Sequence, residues 1–291
     1  MPSPEILPLR LTQPRWPAPT EKPRPLPRGL LPQLLARGRL LLCLDYDGTL
    51  SEITPNLAEA VPLKRARIAI ESLAASPDRI LVAVVSGRDI GTVRKLLGLA
   101  RGIMFAGIHG LELAGADGVA LMAEGVEESL GDLQMVRDFL AREVPAGRGF
   151  VVEDKRLALA LHYRCAAPAE ARPILARVEE FVARETPRLK LLKGKMVYEM
   201  LPRAAGGKGR AVHWFVEQVG EPRPQVAYFG DDTTDEDAFS ALRSDTSALT
   251  VLVGPERPSF ARYRVNDPSA VADILAELAL ALSSRGGGRR P

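Results

Sequence analysis

Residues 41–50 of this 291-residue chain read Leu-Leu-Cys-Leu-Asp-Tyr-Asp-Gly-Thr-Leu, and this stretch indicates both a fold and a site. A continuous apolar run is typical of a strand that is buried on both faces of a parallel sheet. Asp45 and Asp47 follow the run, and Gly48 predicts a turn. Because open α/β sheets bind ligands at the carboxyl ends of their strands, we expect these carboxylates to line a site. Carboxylates this close repel each other, which favours a bound cation or a shared proton.

Short apolar, β-branched runs recur along the chain and alternate with stretches of helical periodicity. The predicted strands are 40–44, 80–85, 103–106, 225–229 and 249–253, and the predicted helices are 62–75, 89–98, 208–219, 235–243 and 268–282. Each predicted strand is followed by Gly, Asp or Ser. This alternation predicts an α/β fold, a Rossmann-like doubly wound parallel sheet with helices on both faces.

The alternation is interrupted between residues 110 and 204. This segment predicts two helices, at 125–143 and 169–184, and four closely spaced strands, near 149–153, 157–163, 189–193 and 196–201. Strands this close together favour antiparallel pairing, since a parallel crossover needs a dozen or more residues. We therefore predict a smaller α+β domain, 110–204, inserted into a parallel core whose two parts are 36–109 and 205–283.

The two ends of the chain differ in composition from the rest. Residues 1–35 contain ten prolines, a density that opposes both helix and sheet, so we predict an extended or disordered arm. Residues 284–291 are rich in Gly and Arg, which predicts a flexible tail.

The overall composition excludes several classes of protein. Hydrophobic residues make up 46% and charged residues 26% of the chain, as in soluble globular proteins. The net charge of +3 is small, and no stretch interleaves basic and aromatic residues, which argues against a nucleic-acid partner. No apolar stretch is long enough for a bilayer, and no signal-peptide pattern is visible, so we expect no membrane association. Cys43 and Cys165 show no zinc or disulfide pattern, which favours a cytoplasmic location.

Three further groups follow predicted strands or begin predicted helices. They are Ser86-Gly87-Arg88, Lys208 and the acidic segment 230–235. Taken singly, each has an ordinary explanation. The first fits a turn, the second a solvated lysine at a helix start, and the third a helix N-cap. Taken together, in this order and at these positions, they favour a phosphoryl-transfer site.

Phosphoryl transfer would give each of these groups a chemical role. Asp45 can attack phosphorus and form an acyl-phosphate, and Asp47 can protonate the leaving alcohol and then deprotonate water. Ser86 and Lys208 can bind the phosphoryl oxygens. The acidic pair 231–232 can complete an oxygen-rich Mg²⁺ site with Asp45 and a backbone carbonyl.

These groups resemble the motifs of the haloacid-dehalogenase superfamily of phosphatases. The stretches Leu44–Leu50, Gly107–Gly110 and Gly230–Glu236 resemble, more specifically, the trehalose-6-phosphate phosphatase family. Parts of the inserted domain support this resemblance: Val152–Lys155, Leu161–Arg164, and Gly194-Lys195 with Glu199. The resemblance covers residues 38 to 280 and leaves out the Pro-rich arm. The resemblance fails at one position. The family usually has a basic residue directly before a proline, whereas this chain has Leu201 before Pro202.

The resemblance implies a role for individual residues. The predicted catalytic residues are Asp45 (nucleophile), Asp47 (general acid/base), Ser86 and Lys208 (phosphate ligands). The predicted Mg²⁺ ligands are Asp45, the Asp47 carbonyl and Asp231, with Asp232 nearby. The inserted domain would be a cap that closes over the core and contacts the sugar hydroxyls. The predicted substrate-binding residues are Arg88, His109, Glu153, Lys155, Lys195 and Glu199. His162 fits either cap packing or a substrate contact.

The function that the resemblance implies is a Mg²⁺-dependent phosphatase of trehalose biosynthesis. It would hydrolyse trehalose 6-phosphate to trehalose and phosphate through an aspartyl-phosphate, with a functional link to a trehalose-6-phosphate synthase. Two alternatives stay open. One is a phosphatase for another sugar phosphate, such as sucrose or mannosyl-glycerate phosphate. The other is a catalytically silent sugar-phosphate sensor or synthase partner with the Pro-rich arm as its docking element, although an intact nucleophile and acid argue against silence.

Overall fold

The computed structural model describes residues 18–54, 59–99, 101–118, 120–194 and 196–286. Within these residues the strands are β1 (Arg24–Pro25), β2 (Leu40–Asp45), β3 (Ile80–Val85), β4 (Ile103–Gly107), β5 (Glu112–Ala114), β6 (Ala120–Met122), β7 (Val151–Asp154), β8 (Leu159–His162), β9 (Leu189–Gly194), β10 (Val197–Pro202), β11 (Gln225–Gly230), β12 (Leu249–Val253) and β13 (Tyr263–Val265). The α-helices are α1 (Leu30–Arg37), α2 (Lys64–Ala74), α3 (Ile90–Leu97), α4 (Leu130–Glu143), α5 (Pro168–Glu185), α6 (Gly207–Val219), α7 (Glu236–Ala241) and α8 (Pro268–Gly286).

A nine-stranded sheet forms the core of the described chain, in the order β1-β13-β12-β11-β2-β3-β4-β5-β6. Its neighbours are parallel from β1 to β4, and β5 and β6 are added antiparallel at one edge. Strand β2 is central and is buried along its whole length. Leu40, Leu42 and Leu44 point to one apolar layer, while Leu41 and Cys43 point to the other. A continuous apolar run is needed here because both faces of the strand are covered.

Helices cover both faces of this sheet. The layer that contains Leu42 is closed by α1, α2, α3 and α8, and the layer that contains Cys43 is closed by α6 and α7. The predicted doubly wound α/β core is therefore confirmed. Within the described residues, no helix has the length and apolar character needed to cross a bilayer.

A second sheet of four strands follows β6 in the chain. Its order is β7-β8-β10-β9, and all its pairs are antiparallel. One face packs on α4 and α5 through a separate apolar cluster that includes Val136, Leu161 and Val178, and Phe139 stacks on Phe181 with ring centroids 4.1 Å apart. We call this sheet with its two helices the cap (residues 130–202). Its antiparallel α+β character agrees with the prediction.

Three segments differ from the sequence predictions. Residues 284–286, which we assigned to the flexible tail, continue helix α8. Residues 112–122, which we assigned to the inserted domain, form β5 and β6 at the edge of the large sheet. Three-residue strands give too short a pattern to be recognised from sequence. Residues 30–37, mostly assigned to the extended or disordered arm, form α1. Pro32 lies in the first turn of α1, where a missing N–H is tolerated, and Leu31, Leu34 and Leu35 are buried. Residues 1–17 and 287–291 lie outside the described residues.

Candidate active site

The register of the parallel strands brings the predicted motifs to one edge of the large sheet. Asp45 is paired with Val85, so Ser86 follows one residue beyond it. On the other side of β2, Phe229 is paired with Leu44, so Gly230 and Asp231 continue at the same edge. Segments far apart in sequence therefore meet where β2, β3 and β11 end.

Lys208 joins this edge from the first turn of α6, as its predicted position at a helix start suggested. Its Nζ donates to Asp45 Oδ1 at 2.6 Å and to Asp235 Oδ1 at 2.8 Å. All three side chains are almost fully buried. Burial alone would lower the pKa of Lys208, but Asp235 and Asp45 outweigh this effect and hold its pKa above the ordinary value. A charged ammonium beside Asp45 can bind the oxygens of a phosphoryl group.

Asp231 adds a third carboxylate to this cluster. One oxygen each from Asp45, Asp231 and Asp235 lies within 4.8 Å of the others. Asp231 Oδ1 is buried and has no hydrogen-bond partner among the described residues. Gly48 makes room for this carboxylate: its φ is +83°, and a Cβ at this position would lie 2.2 Å from Asp231 Oδ2.

The charges of this cluster fit a divalent cation. Burial raises the pKa of Asp45 well above its ordinary value, and Asp235 and Asp231 add to this rise against the opposing charge of Lys208. Burial, followed by the charge of Asp235, raises the pKa of Asp231 to about 7. Negative charge therefore exceeds positive charge in a buried site, and its oxygen atoms are the ligands that hard cations prefer. An orphaned buried oxygen and an excess of carboxylates are both explained by a cation.

Asp47 lies at the rim of the site and is bound by Arg88. The guanidinium donates through Nε to Asp47 Oδ2 at 2.7 Å and through Nη2 to Asp47 Oδ1 at 2.6 Å. Arg88 also lies over the ring of Tyr46, 5.7 Å from its centroid. The predicted substrate-binding Arg88 thus contacts the predicted acid/base. This bidentate pair fixes the orientation of the Asp47 carboxylate.

Ser86 and His109 are joined through their backbones. Ser86 is buried; its Oγ accepts from Arg88 N at 3.1 Å, and its carbonyl accepts from His109 N at 3.2 Å. Ile108 and His109 both have left-handed backbone, with φ of +48° and +54°. Such strain in non-glycine residues concentrates at functional sites, and here it turns the His109 ring towards the cap.

Predicted substrate-binding groups of the cap contact the core and one another. Glu199 Oε2 accepts from His109 Nε2 at 2.9 Å, and Glu199 Oε1 accepts from Lys155 Nζ at 2.6 Å. Lys155 also donates to the Gly87 carbonyl at 3.1 Å. Burial would raise the pKa of Glu199, but hydrogen bonds and charges from His109 and Lys155 hold it well below the usual range. The carboxylate of Glu199 is therefore ionised where the cap meets the core.

The remaining cap residues take different positions. Glu153 Oε2 and His162 Nε2 are 3.0 Å apart, and this hydrogen bond is the main cause of a lowered Glu153 pKa. Lys195 lies outside the described residues. Leu201, which stands where the family usually has a basic residue, is fully buried in an apolar cluster with Ile108 and Leu157.

Sequence reasoning assigned no role to Asp235, which the structure places at the centre of the polar cluster. It is fully buried, and its Oδ1 accepts from Tyr228 OH at 2.7 Å as well as from Lys208. Its Oδ2 accepts from the backbone N of Asp232 at 3.0 Å. Its place in the acidic segment, four residues after Asp231, could have indicated a role in the site. The same place, at the start of α7, also fits a helix N-cap.

A cavity of about 880 Å³ opens between the core edge and the cap sheet. The core contributes Asp47, Lys208 and Asp231 to its lining, and the cap contributes Glu153 and Glu199. These predicted catalytic, metal-binding and cap residues therefore face a single space, and their individual roles stay predictions.

Comparisons with known proteins agree with this architecture. The fold, a doubly wound core with a cap, is that of the haloacid-dehalogenase-like hydrolases. A family model described as trehalose-phosphatase matches residues 43–269. The chain is 35% identical over 247 residues to a trehalose-phosphate phosphatase from Mycobacterium marinum, covering 83% of this chain and 62% of that protein. The chain belongs to the trehalose-phosphatase family.

Solved structures support the same assignment of the fold. The C-terminal domain of a Candida albicans trehalose-6-phosphate phosphatase has a TM-score of 0.77 at 24% identity, covering 89% of this chain and 99% of that one. An Aspergillus fumigatus trehalose-6-phosphate phosphatase has a TM-score of 0.64 at 28% identity, with the same coverage. The chain spans about three fifths of the length of the mycobacterial relatives that it matches.

Proposed function

We propose that this chain is a phosphatase that hydrolyses trehalose 6-phosphate to trehalose and phosphate. The observation that carries the proposal is the buried Asp45–Lys208 pair beside a cavity that Lys208 lines from the core and Glu199 and Glu153 line from the cap (the cap wall). The core side offers a nucleophile and a cation for a phosphate, and the cap wall offers ionised acceptors for sugar hydroxyls. The name of the Mycobacterium marinum relative supports the choice of substrate.

The reaction proceeds in two halves. An Asp45 carboxylate oxygen attacks phosphorus, the bond between phosphorus and the sugar oxygen breaks, and that oxygen takes a proton from the Asp47 carboxyl group. Water then attacks the phosphorus of the aspartyl-phosphate, the Asp47 carboxylate takes its proton, and the bond to Asp45 breaks to release phosphate. Lys208 and Ser86 hold the phosphoryl oxygens, and Arg88 orients Asp47.

Mg²⁺ is the cation that we propose for the acidic cluster. Asp45, Asp231 and the Asp47 carbonyl would hold it, with Asp235 beside them. When bound, it would supply positive charge against the phosphoryl oxygens and relieve the repulsion among the carboxylates.

The division of the chain into a core and a mobile cap is part of the proposal. The contacts between the two parts are of two kinds: polar ones, Glu199 with His109 and Lys155 with the Gly87 carbonyl, and a small apolar cluster in which Ile108 meets Leu157 and Leu201. Interfaces within a chain permit relative movement of domains unless they are large and hydrophobic. Opening would admit the substrate, and closure would exclude water from the aspartyl-phosphate. A cytoplasmic location and a link to a trehalose-6-phosphate synthase complete the proposal, and the two free cysteines fit a reducing compartment.

Phosphate release from three sugar phosphates tests the substrate. With Mg²⁺ present, we expect kcat/KM for trehalose 6-phosphate to exceed that for sucrose 6-phosphate and glucose 6-phosphate by at least about tenfold, because hydroxyl-specific contacts discriminate between sugars. A preference for sucrose 6-phosphate would keep the chemistry and change the substrate. No release from any of the three by the folded, Mg²⁺-loaded protein would favour the sugar-phosphate sensor.

The Glu199→Gln variant tests the cap wall. We expect KM for trehalose 6-phosphate to rise about tenfold, because a charge-assisted hydrogen bond is replaced by a neutral one. The matched control is Glu179→Gln. Like Glu199, Glu179 is bound by a lysine (Lys193) and by a second donor, here the Tyr198 hydroxyl, but it is carried by helix α5. Equal KM values for the wild type and Glu199→Gln would remove Glu199 from the substrate site.

A further inference from the structure

Arg257 reaches the acidic turn from the loop between β12 and β13. Its Nη2 donates to the backbone carbonyls of Asp231 at 3.2 Å and Asp232 at 3.1 Å. Its Nη1 donates to the Glu236 carboxylate and to the Pro258 carbonyl. One side chain thus binds two consecutive peptide groups of the turn and the first residue of the helix that follows it.

The loop that carries Arg257 is itself held against the same helix. Ser259 Oγ donates to Glu236 Oε1 at 2.8 Å, and Phe260 N donates to Glu236 Oε2 at 2.8 Å. On its other side, Ser259 N donates to the Glu21 carbonyl at 2.9 Å. Arg257 therefore projects from a fixed base, and Glu236 neutralises its charge.

We propose that Arg257 is a positioning residue that holds the Asp231 carboxylate in the cation site. Arg257 donates to the carbonyls of two consecutive peptide units, 231–232 and 232–233. Asp235 also holds the N–H and the carbonyl of Asp232, so loss of Arg257 would loosen the turn chiefly at the Asp231 carbonyl. The Asp231 side chain has no compensating anchor at Oδ1, which accepts no hydrogen bond from the described residues. The backbone of the turn therefore contributes to the placement of this carboxylate. The inference rests on the proposed function, because it assumes that the cluster of Asp45, Asp231 and Asp235 binds Mg²⁺.

Electrostatics and geometry predict opposite effects of removing Arg257 on the affinity of the site for a cation. Loss of a positive charge, with Glu236 left unpaired, would strengthen the binding of a cation nearby. Loss of the clamp on the turn would weaken it, because residues that orient metal ligands typically contribute a factor of about 10–100 to affinity. The sign of the change therefore identifies a positioning role.

Arg262 offers a matched control within the same loop. Arg257 donates to three backbone carbonyls, and the guanidinium of Arg262 donates to four, those of Arg243, Asp245, Thr246 and Ala248. These residues form the turn before β12, at the sheet edge opposite the candidate site. Arg262→Ala should therefore destabilise the fold without changing the cation site.

Mg²⁺ titration of the full chain by calorimetry tests the proposal without depending on turnover. We expect Arg257→Ala to raise the Mg²⁺ Kd about tenfold or more, and Arg262→Ala to leave it within about twofold. Arg257→Lys keeps the charge but presents a single nitrogen instead of a fork, so it should also raise the Kd. Phosphate release at saturating Mg²⁺ should recover to within a few-fold of the wild type.

The possible failures are distinguishable. A Kd in Arg257→Ala and Arg257→Lys equal to or below that of a Mg²⁺-binding wild type would overturn the positioning role alone. An equal rise of the Mg²⁺ Kd in Arg262→Ala and Arg257→Ala would also overturn the positioning role, because the rise would then reflect a general destabilisation of the fold. If the wild type bound no Mg²⁺, the proposed cation site and this inference would both fall.

Discussion

Replacing Asp45 by asparagine is expected to reduce phosphate release by on the order of 10⁴-fold or more, because an amide cannot supply the attacking carboxylate oxygen. The change keeps the size of the side chain and one oxygen that can accept from Lys208. Circular dichroism should therefore show a folded protein. The rate is measured with Mg²⁺ and trehalose 6-phosphate at saturation.

The intermediate gives a second, independent measurement of the same residue. Borohydride reduction of an acyl-phosphate during turnover converts the modified aspartate to homoserine, and peptide mass spectrometry should place this change at residue 45. Asp138→Asn is the control for loss of a carboxylate, since Asp138 accepts from Gln134 on the exposed surface of the cap. A variant Asp45→Asn that retained more than about a tenth of the wild-type rate would exclude a covalent role.

The core of this fold was predictable because its signals are local. Leu40 to Leu44 are all fully buried, so the apolar run needed no long-range information to be recognised as a central strand. Parallel strands deliver their C-terminal residues to one edge, so Asp45, Ser86 and Asp231 were expected to meet there. The strands β5 and β6 escaped recognition because three residues show too little periodicity. Helix α1 was missed because the proline density of residues 1–35 outweighed the helical spacing of Leu31, Leu34 and Leu35.

The pairing of charged groups within the site was not predictable from local sequence. Glu199 contacts His109 across 90 residues, and Lys208 contacts Asp45 across 163 residues. Which cation faces which carboxylate depends on how the cap and α6 pack on the sheet. Arg88 illustrates the consequence: the resemblance implied a substrate contact, which stays a prediction, and its contact with Asp47 became visible only through tertiary packing.

Replacing Lys208 by methionine is expected to abolish phosphate release and to destabilise the fold by about 3–5 kcal/mol in metal-free buffer at neutral pH. The methionine fills the space of the lysine stem but leaves Asp45 and Asp235 buried without a positive charge between them. Urea unfolding in EDTA measures the loss. The matched control is Lys190→Met, since Lys190 is a partly buried lysine that donates to a neutral group, the Ala205 carbonyl, and its loss should cost about 1 kcal/mol.

The sign of the pH dependence separates this mechanism from loss of packing. Burial already raises the pKa of Asp45 above its unfolded value, and loss of the lysine charge raises it further. A carboxyl group with a raised pKa in the folded state loses stability as the pH rises through the range between its two pKa values. The difference in unfolding free energy between the wild type and Lys208→Met should therefore shrink as the pH is lowered from 8 to about 5.5. Carboxyl groups that are protonated no longer need the positive charge of the ammonium group. If this difference in unfolding free energy did not change with pH, Lys208 would contribute packing alone. The buried ion pair would then not be the interaction that organises this site.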